Sequence, residues 1–148
     1  PLDLERDRTL ARLTGAETAH PVLETFLADL WAQTGLGPAD TVLAGFSQGA
    51  MMALYTGLRR PEALKAIIAF SGLLVAPEKL DAEIASKPPV LLIHGDMDEV
   101  VPVIGSQTAL PRLLDLGIDA KLHISQGSGH TIAQDGLDTA TVFLREIL

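Results

Sequence analysis

The sequence predicts an α/β fold, with a mostly parallel sheet and helices on both faces. Three apolar runs, at residues 41–46, 65–70 and 90–94, are continuous rather than alternating. Such runs are typical of parallel strands that are covered on both faces. Stretches with helical spacing alternate with these runs, which favours a layered sheet. A length of 148 residues predicts one domain over residues 1–148.

The first helix is predicted from Pro21, which suits a first helical turn. Apolar residues then repeat at helical spacing, and Gly35 is a suitable stop. Residues 1–14 are charged and aperiodic, so we expect a surface connection there. Gly37 and Pro38 lead into the strand at 41–46.

The central part alternates in the same way. A helix at about 48–60 is followed by the strand at 65–70, a loop-rich segment at 71–88 and the strand at 90–94. A further helix falls within about 103–116, where Pro111 either kinks it or delays its start.

The last elements are a strand, a loop and a helix. Residues 120–124 alternate between polar and apolar, which suits a strand at the edge of the sheet. A loop rich in Gly and Ser covers 125–130, and the final helix is predicted at about 134–148.

Composition excludes several function classes. The chain has no cysteine, which excludes disulfides and thiolate metal sites and fits a reducing compartment such as the cytoplasm. A net charge of -8 is poorly suited to nucleic acid or anionic lipid, so no nucleic-acid partner is expected. No apolar stretch approaches the ~20 residues needed to span a bilayer.

The segment Gly45-Phe46-Ser47-Gln48-Gly49 carries the most chemical information. It lies between a predicted strand and a predicted helix, which is the context of the nucleophile elbow of serine hydrolases. The turn is crowded, so both glycines are expected to replace side chains that would clash. Gly-x-Ser-x-Gly alone is a weak signal; its position between strand and helix strengthens it.

A nucleophilic serine needs a base, and hydrolases with this elbow use the chain order serine, acid, histidine. His130 fits as the base because it follows the last strand in a loop of small residues. His20 precedes Ser47 and is in the wrong order. His94 ends a strand and His123 lies within one, so both are interpreted as structural.

Three acids compete in the loop after the strand at 90–94. Asp98 is favoured because it stands third after Gly95, the usual place of the acid in such a loop. Asp96 is the alternative, although it is better suited to bonding nearby backbone N–H groups in the turn. Glu99 is expected to face water. A metal site is disfavoured because no histidine spacing accompanies the acids, and the calcium-loop pattern is absent.

These segments together resemble the phospholipase/carboxylesterase family of α/β-hydrolases, which includes bacterial carboxylesterases and acyl-protein thioesterases. The resemblance covers about residues 15–148 and is carried by residues 45–51, 93–102 and 129–132. Phe-Ser-Gln within the elbow is more specific than the general pattern. The resemblance implies Ser47, Asp98 and His130 as the catalytic triad and the backbone N–H of Gln48 as an oxyanion donor. No motif in the sequence suggests a cofactor or a metal.

The sequence departs from the family pattern in its N-terminal part. Family members carry an earlier His-Gly-x-Gly-type loop that donates the second oxyanion N–H, and nothing in residues 1–40 matches it. We therefore expect the C-terminal part of an α/β-hydrolase fold that lacks its N-terminal strands. Residues 1–148 alone are then expected to be weakly active or inactive, and the full gene product active. The strand at 41–46 is expected to expose an apolar edge.

The expected activity is hydrolysis of small carboxylic esters or thioesters through an acyl-serine intermediate. The alternatives are a non-catalytic binding protein of the same fold, or a serine peptidase or lipase. Leu73, Leu74, Val100 and Val101 are equally good as acyl-pocket or core residues. The methionines at 51 and 52 are interpreted as core. Relatives with this pattern can be dimeric, so a homodimer is possible.

Overall fold

A computed structural model describes residues 3–148, in which four strands alternate with five α-helices. The strands are β1 Val42–Phe46, β2 Ala66–Phe70, β3 Val90–Gly95 and β4 Ala120–Ser125. The helices are α1 Leu4–Thr34, α2 Gln48–Arg59, α3 Leu80–Glu83, α4 Ile104–Asp115 and α5 Gln134–Ile147. The predicted α/β fold is confirmed, and each predicted strand lies within one residue of its observed position.

The sheet has the order β1-β2-β3-β4, and every neighbouring pair is parallel. Val42 lies opposite Ala66, and Ile67 lies opposite Val90. Parallel strands end at one common edge of the sheet, so the loops after β1, β3 and β4 meet there. The predicted parallel sheet is therefore confirmed, with β4 at an edge as expected.

The two faces of the sheet are covered by different helices. Ile67 and Ala69 of β2 pack with α2 and α4 on one face, in a cluster that includes Leu54 and Leu113. The alternate residues of β2 face the other way and pack against α5, where Phe143 is buried. Successive side chains of a strand point to opposite faces, which explains why β2 is buried throughout. The prediction of helices on both faces is confirmed.

The predicted surface connection at residues 1–14 is wrong over most of its length. Helix α1 starts at Leu4, where the Asp3 side chain accepts a hydrogen bond from the Arg6 N–H at 3.0 Å. Aspartate is a strong N-cap, and the Leu, Glu, Arg and Ala residues that follow are good helix formers. Residues 1–2 lie outside the described residues. Pro21 consequently lies inside the helix rather than in its first turn.

The stop of α1 is as expected. Gly35 has a φ of 72° and its N–H donates to the Trp31 carbonyl, which is a left-handed helix end. The loop-rich segment at 71–88 contains the single-turn helix α3 and a 3₁₀ turn at Pro77–Lys79. Helix α4 begins at Ile104, so Pro111 does not delay its start.

Strand β1 was predicted to be covered on both faces, and this is wrong. Ala44 and Phe46 are exposed, whereas β2 and β3 are buried at every position. Within residues 3–148 β1 has one neighbouring strand, so its outer edge is unpaired. No helix in this part of the chain is both long and apolar enough to cross a membrane.

Candidate active site

Ser47 occupies the turn between β1 and α2, at the edge where the strands end. Its φ of 57° and ψ of -116° place a residue with a side chain in the positive-φ region, which is rare outside glycine. Two hydrogen bonds hold this backbone: Ser47 N–H donates to the Phe70 carbonyl at 2.9 Å, and Met51 N–H donates to the Ser47 carbonyl at 3.1 Å. The sheet and the helix thus fix the serine in a strained turn.

The two glycines of the elbow have different roles. A Cβ at Gly45 would collide with the backbone of Gly49 and lie 2.6 Å from the Ala50 nitrogen. A Cβ at Gly49 would meet nothing within 4 Å. The expectation of a clash is confirmed for Gly45 and wrong for Gly49, because only the strand residue faces the incoming helix.

His130 reaches Ser47 from the loop between β4 and α5. Its Nε2 lies 3.0 Å from the Ser47 Oγ. The imidazole packs against the Phe46 ring with centroids 4.7 Å apart. This contact was not expected, because nothing in the sequence relates Phe46 to a residue so far along the chain. Phe46 therefore packs against the candidate base.

Asp98 completes a hydrogen-bonded chain with His130. Its Oδ2 lies 2.7 Å from His130 Nδ1, and its Oδ1 accepts from the N–H groups of Val100 at 2.9 Å and Val101 at 2.8 Å. The hydrogen therefore belongs on Nδ1, which leaves Nε2 to accept the proton of the Ser47 hydroxyl.

The same contacts determine the charge of the Asp98 carboxyl. Burial raises its pKa, but the hydrogen bonds from His130, Val101 and Val100 outweigh burial, so its pKa lies below the ordinary value. The side chain is fully buried and is ionised at neutral pH, so it favours the imidazolium that forms when Ser47 loses its proton.

The competing acids lie elsewhere. Asp96 Oδ1 accepts a hydrogen bond at 2.8 Å from the N–H of Gly127, in the loop that carries His130. We expected Asp96 to bond to the backbone of its own turn, but its partner lies in the neighbouring loop. This hydrogen bond connects that loop to the end of β3. Glu99 is exposed, as expected.

The remaining histidines have partners away from Ser47. His20 Nδ1 contacts the Thr56 hydroxyl at 2.8 Å, and His123 Nε2 contacts Asp135 Oδ2 at 2.7 Å. His94 is buried, with Nδ1 2.6 Å from the Ser106 hydroxyl. His20 and His123 therefore lie outside the hydrogen-bonded series of Ser47, His130 and Asp98. His94 adjoins this series through the acid, because its Nε2 lies 3.4 Å from Asp98 Oδ2, and its buried contacts fit a structural role.

Gln48 starts helix α2 and is exposed. The first N–H groups of a helix have no partner within it, and the helix dipole places partial positive charge there. The N–H next to Ser47 is therefore available to an anionic oxygen. Within residues 3–148 no group of three or more His, Asp or Glu side chains is arranged to hold a metal ion.

Some of the candidate acyl-pocket residues line a cavity, and others are buried or exposed elsewhere. Leu73 and Leu74 line a cavity of about 470 Å³. Val101 is buried, whereas Val100 is exposed. Met51 belongs to a buried cluster, as expected for core, but both methionines at 51 and 52 also line a cavity of about 410 Å³ that reaches Gln48.

Comparison with known proteins gives a consistent family. A sequence profile described as phospholipase/carboxylesterase matches residues 12–148. The chain is 38% identical over 119 residues to acyl-protein thioesterase 1 of Neurospora crassa, covering 75% of this chain and 48% of that protein. It is 32% identical over 127 residues to esterase YpfH of Escherichia coli, covering 84% and 53%.

Solved structures agree. The crystal structure of esterase PE8 superposes with a TM-score of 0.95 at 89% identity, covering 100% of this chain and 69% of that one. The chain spans about half the length of the curated relatives it matches.

Proposed function

The chain belongs to the phospholipase/carboxylesterase family, and from this membership we propose that it is a serine hydrolase that cleaves carboxylic esters or thioesters. The observation that carries the proposal is the hydrogen-bonded chain from Ser47 Oγ through His130 to Asp98. An activated serine hydroxyl at the start of a helix is the arrangement required for acyl transfer.

The proposed reaction has two halves. His130 Nε2 takes the proton of the Ser47 hydroxyl as Oγ attacks the acyl carbon, and the Gln48 N–H donates to the resulting oxyanion. The C–O or C–S bond then breaks, and His130 gives the proton to the leaving alcohol or thiol. Water attacks the acyl-serine by the same route, which releases the acid and restores Ser47.

Asp98 has a positioning and electrostatic role in this scheme. By accepting from Nδ1 it holds the tautomer in which Nε2 is the base, and its negative charge stabilises the imidazolium. Phe46 supports the ring from its side. Among residues 3–148, the Gln48 N–H is the oxyanion donor that we assign.

The proposal extends to substrate and setting. Relatives named as thioesterases and as esterases favour a small ester or thioester substrate. The cytoplasm is the proposed compartment, since the 148 residues contain no cysteine. A homodimer remains the proposed assembly by analogy with the family.

The experiment is covalent labelling with a fluorophosphonate probe, followed by peptide mapping and an ester hydrolysis assay. A single adduct on Ser47 is expected, and Ser47→Ala is expected to remove the adduct and lower kcat roughly 10⁶-fold. Ser86→Ala is the matched control, because Ser86 bonds to Gly57 away from the site. Turnover retained in Ser47→Ala would refute the assignment. No adduct on a product of the same gene longer than 148 residues would favour a non-catalytic binding protein, whereas weak or absent labelling of residues 1–148 alone is the expected result.

A further inference from the structure

Two cavities adjoin along the N-terminal half of α1 and share the residues Arg12 and Val75. The first has a volume of about 410 Å³ and the second about 470 Å³. Both volumes fall in the range of small-molecule sites. Arg12 thus stands between them, on the wall that α1 contributes.

The first cavity starts beside the proposed nucleophile. Gln48 lines it, and the methionines at 51 and 52 continue its wall along α2. On the opposite side α1 contributes small side chains, among them Ala16 and Ala19. An apolar passage therefore leads from the residue after Ser47 towards Arg12.

Three arginines line these cavities, and Arg12 is the one without a carboxylate partner among the described residues. Arg8 lies 3.7 Å from Glu5, and Arg112 lies 3.0 Å from Asp81. Among residues 3–148, no carboxylate lies within 4 Å of the Arg12 guanidinium. The chain carries a net charge of -8, so acidic partners are plentiful elsewhere on it.

This position suits a ligand carboxylate. Arg12 is half-buried among mostly apolar walls, where water competes less for the guanidinium than it does on an open surface. Glu78 also lines the second cavity, but its carboxylate lies beyond 4 Å from the Arg12 guanidinium. A guanidinium binds a carboxylate through two parallel hydrogen bonds, which gives both affinity and orientation.

We propose that Arg12 binds a carboxylate of the substrate, which makes the preferred substrates anionic esters or thioesters. An apolar segment between the scissile bond and the carboxylate lies on Met51, Met52 and Val75. The inference rests on the proposed hydrolase function and adds to it the substrate class and a specificity-determining residue.

The test compares anionic and neutral substrates of the same shape. In the acyl arm the substrates are mono-p-nitrophenyl esters of succinate, adipate, suberate and sebacate, each paired with its methyl ester. In the leaving-group arm they are butyrate esters of ω-hydroxy acids, again paired with their methyl esters. The measured quantity is the ratio of kcat/KM for the anionic member to kcat/KM for the neutral member.

Arg12→Gln is expected to lower this ratio about tenfold in one arm, at the spacer length that fits. High salt is expected to lower the ratio for the unmodified chain and not for the variant. Arg6→Gln is the matched control: it removes the same charge from the same helix, at an exposed residue that lines neither cavity. The arm that responds identifies which half of the substrate carries the carboxylate.

The two proposals fail differently. Ser47-dependent turnover with a ratio that Arg12→Gln leaves unchanged in both arms overturns the role of Arg12 and leaves the hydrolase intact. Without turnover, calorimetric titration of Ser47→Ala with suberate tests the site directly. Suberate binding that the additional change Arg12→Gln weakens supports the site, whereas equal binding or no binding overturns it.

Discussion

The Nε2 atom of His94 lies 3.4 Å from Asp98 Oδ2, the oxygen that His130 Nδ1 approaches to 2.7 Å. Nε2 also lies 2.7 Å from the carbonyl oxygen of Val101, which only accepts. The tautomer that satisfies both contacts has its hydrogen on Nε2, so Nδ1 accepts from the Ser106 hydroxyl. A second imidazole therefore links β3, the Asp98 loop and α4.

The first prediction concerns this link. Ser106→Ala is expected to lower the free energy of unfolding by about 1–3 kcal/mol, because it leaves a buried imidazole nitrogen without a donor. Ser106 is 1% exposed. Urea unfolding measures the change. Thr108→Ala on the same helix is the control, since Thr108 is exposed and bonds only to its own helix, and a change under about 0.5 kcal/mol is expected. If both variants lost the same free energy of unfolding, the proposed hydrogen bond from Ser106 to His94 would be contradicted.

The second prediction separates the two candidate acids. Asp98→Asn is expected to lower kcat roughly 10⁴-fold, because an amide can stabilise the wrong tautomer of His130 and carries no charge. Asp96→Asn is expected to lower kcat by a smaller factor, since Asp96 bonds to the Gly127 backbone and not to the imidazole of His130. Ester hydrolysis and the rate of fluorophosphonate labelling measure both effects. A larger loss in Asp96→Asn would reverse the assignment.

The third prediction is the pH dependence that Asp98 gives to stability. Its folded-state pKa lies below the ordinary value of 3.8, so just below pH 3.8 the unfolded chain binds more protons than the folded one. The stabilisation that the ionised Asp98 carboxylate gives to the fold is therefore present above pH 3.8. It is lost as the pH falls through the folded-state pKa of Asp98.

Urea unfolding of the unmodified chain and of Asp98→Asn, on either side of pH 3.8, measures this dependence. The difference in the free energy of unfolding between the two proteins is expected to shrink as the pH falls. A difference that stays constant through this window would show that the Asp98 carboxylate does not stabilise the fold.

Much of the fold was readable from the sequence because local pattern and burial agree. The buried strands β2 and β3 are continuous apolar runs, and their bounds were predicted within one residue. The start of α1 was missed because a charged, aperiodic segment can still form a helix when Asp3 caps it. The unpaired edge of β1 was expected, but the exposure of Ala44 and Phe46 was missed, because a continuous apolar run does not tell which of its residues a helix covers.

The structure brings the three predicted triad residues within hydrogen-bonding distance of one another. Chain order and loop position selected Ser47, Asp98 and His130, since parallel strands deliver their following loops to one edge. The contact of Phe46 with His130, and the position of Arg12 on the wall shared by two cavities, depend on side-chain packing between distant segments. No pattern in the sequence records such contacts.

The fourth prediction uses the two elbow glycines. Gly45→Ala is expected to destabilise the fold strongly, by about 2 kcal/mol or more, because the added methyl group meets backbone that cannot yield easily. Gly49→Ala adds the same group in open space on a helix, so it is expected to be neutral or stabilising by about 0.5–1 kcal/mol. Thermal and urea unfolding measure the free energy of unfolding of both variants. Equal destabilisation would restore the view that both glycines are sterically required.

The last prediction concerns the apolar surface beside β1. Val22, Phe26 and Leu30 are exposed at successive turns of α1, and a cavity joins this stripe to Leu43 and Ala44 of β1. An unpaired apolar strand edge next to an apolar helix face favours association between chains. We therefore expect the chain to associate as its concentration rises.

Phe26→Glu is expected to reduce this association, because Phe26 is 60% exposed and a charge there must be desolvated for two such faces to meet. The matched control is Val142→Glu, since Val142 is 53% exposed but lies on α5, on the opposite face of the sheet. Sedimentation velocity over a concentration series measures association, and circular dichroism checks that both variants fold. If Val142→Glu reduced association as much as Phe26→Glu, net charge and not the β1 face would be responsible.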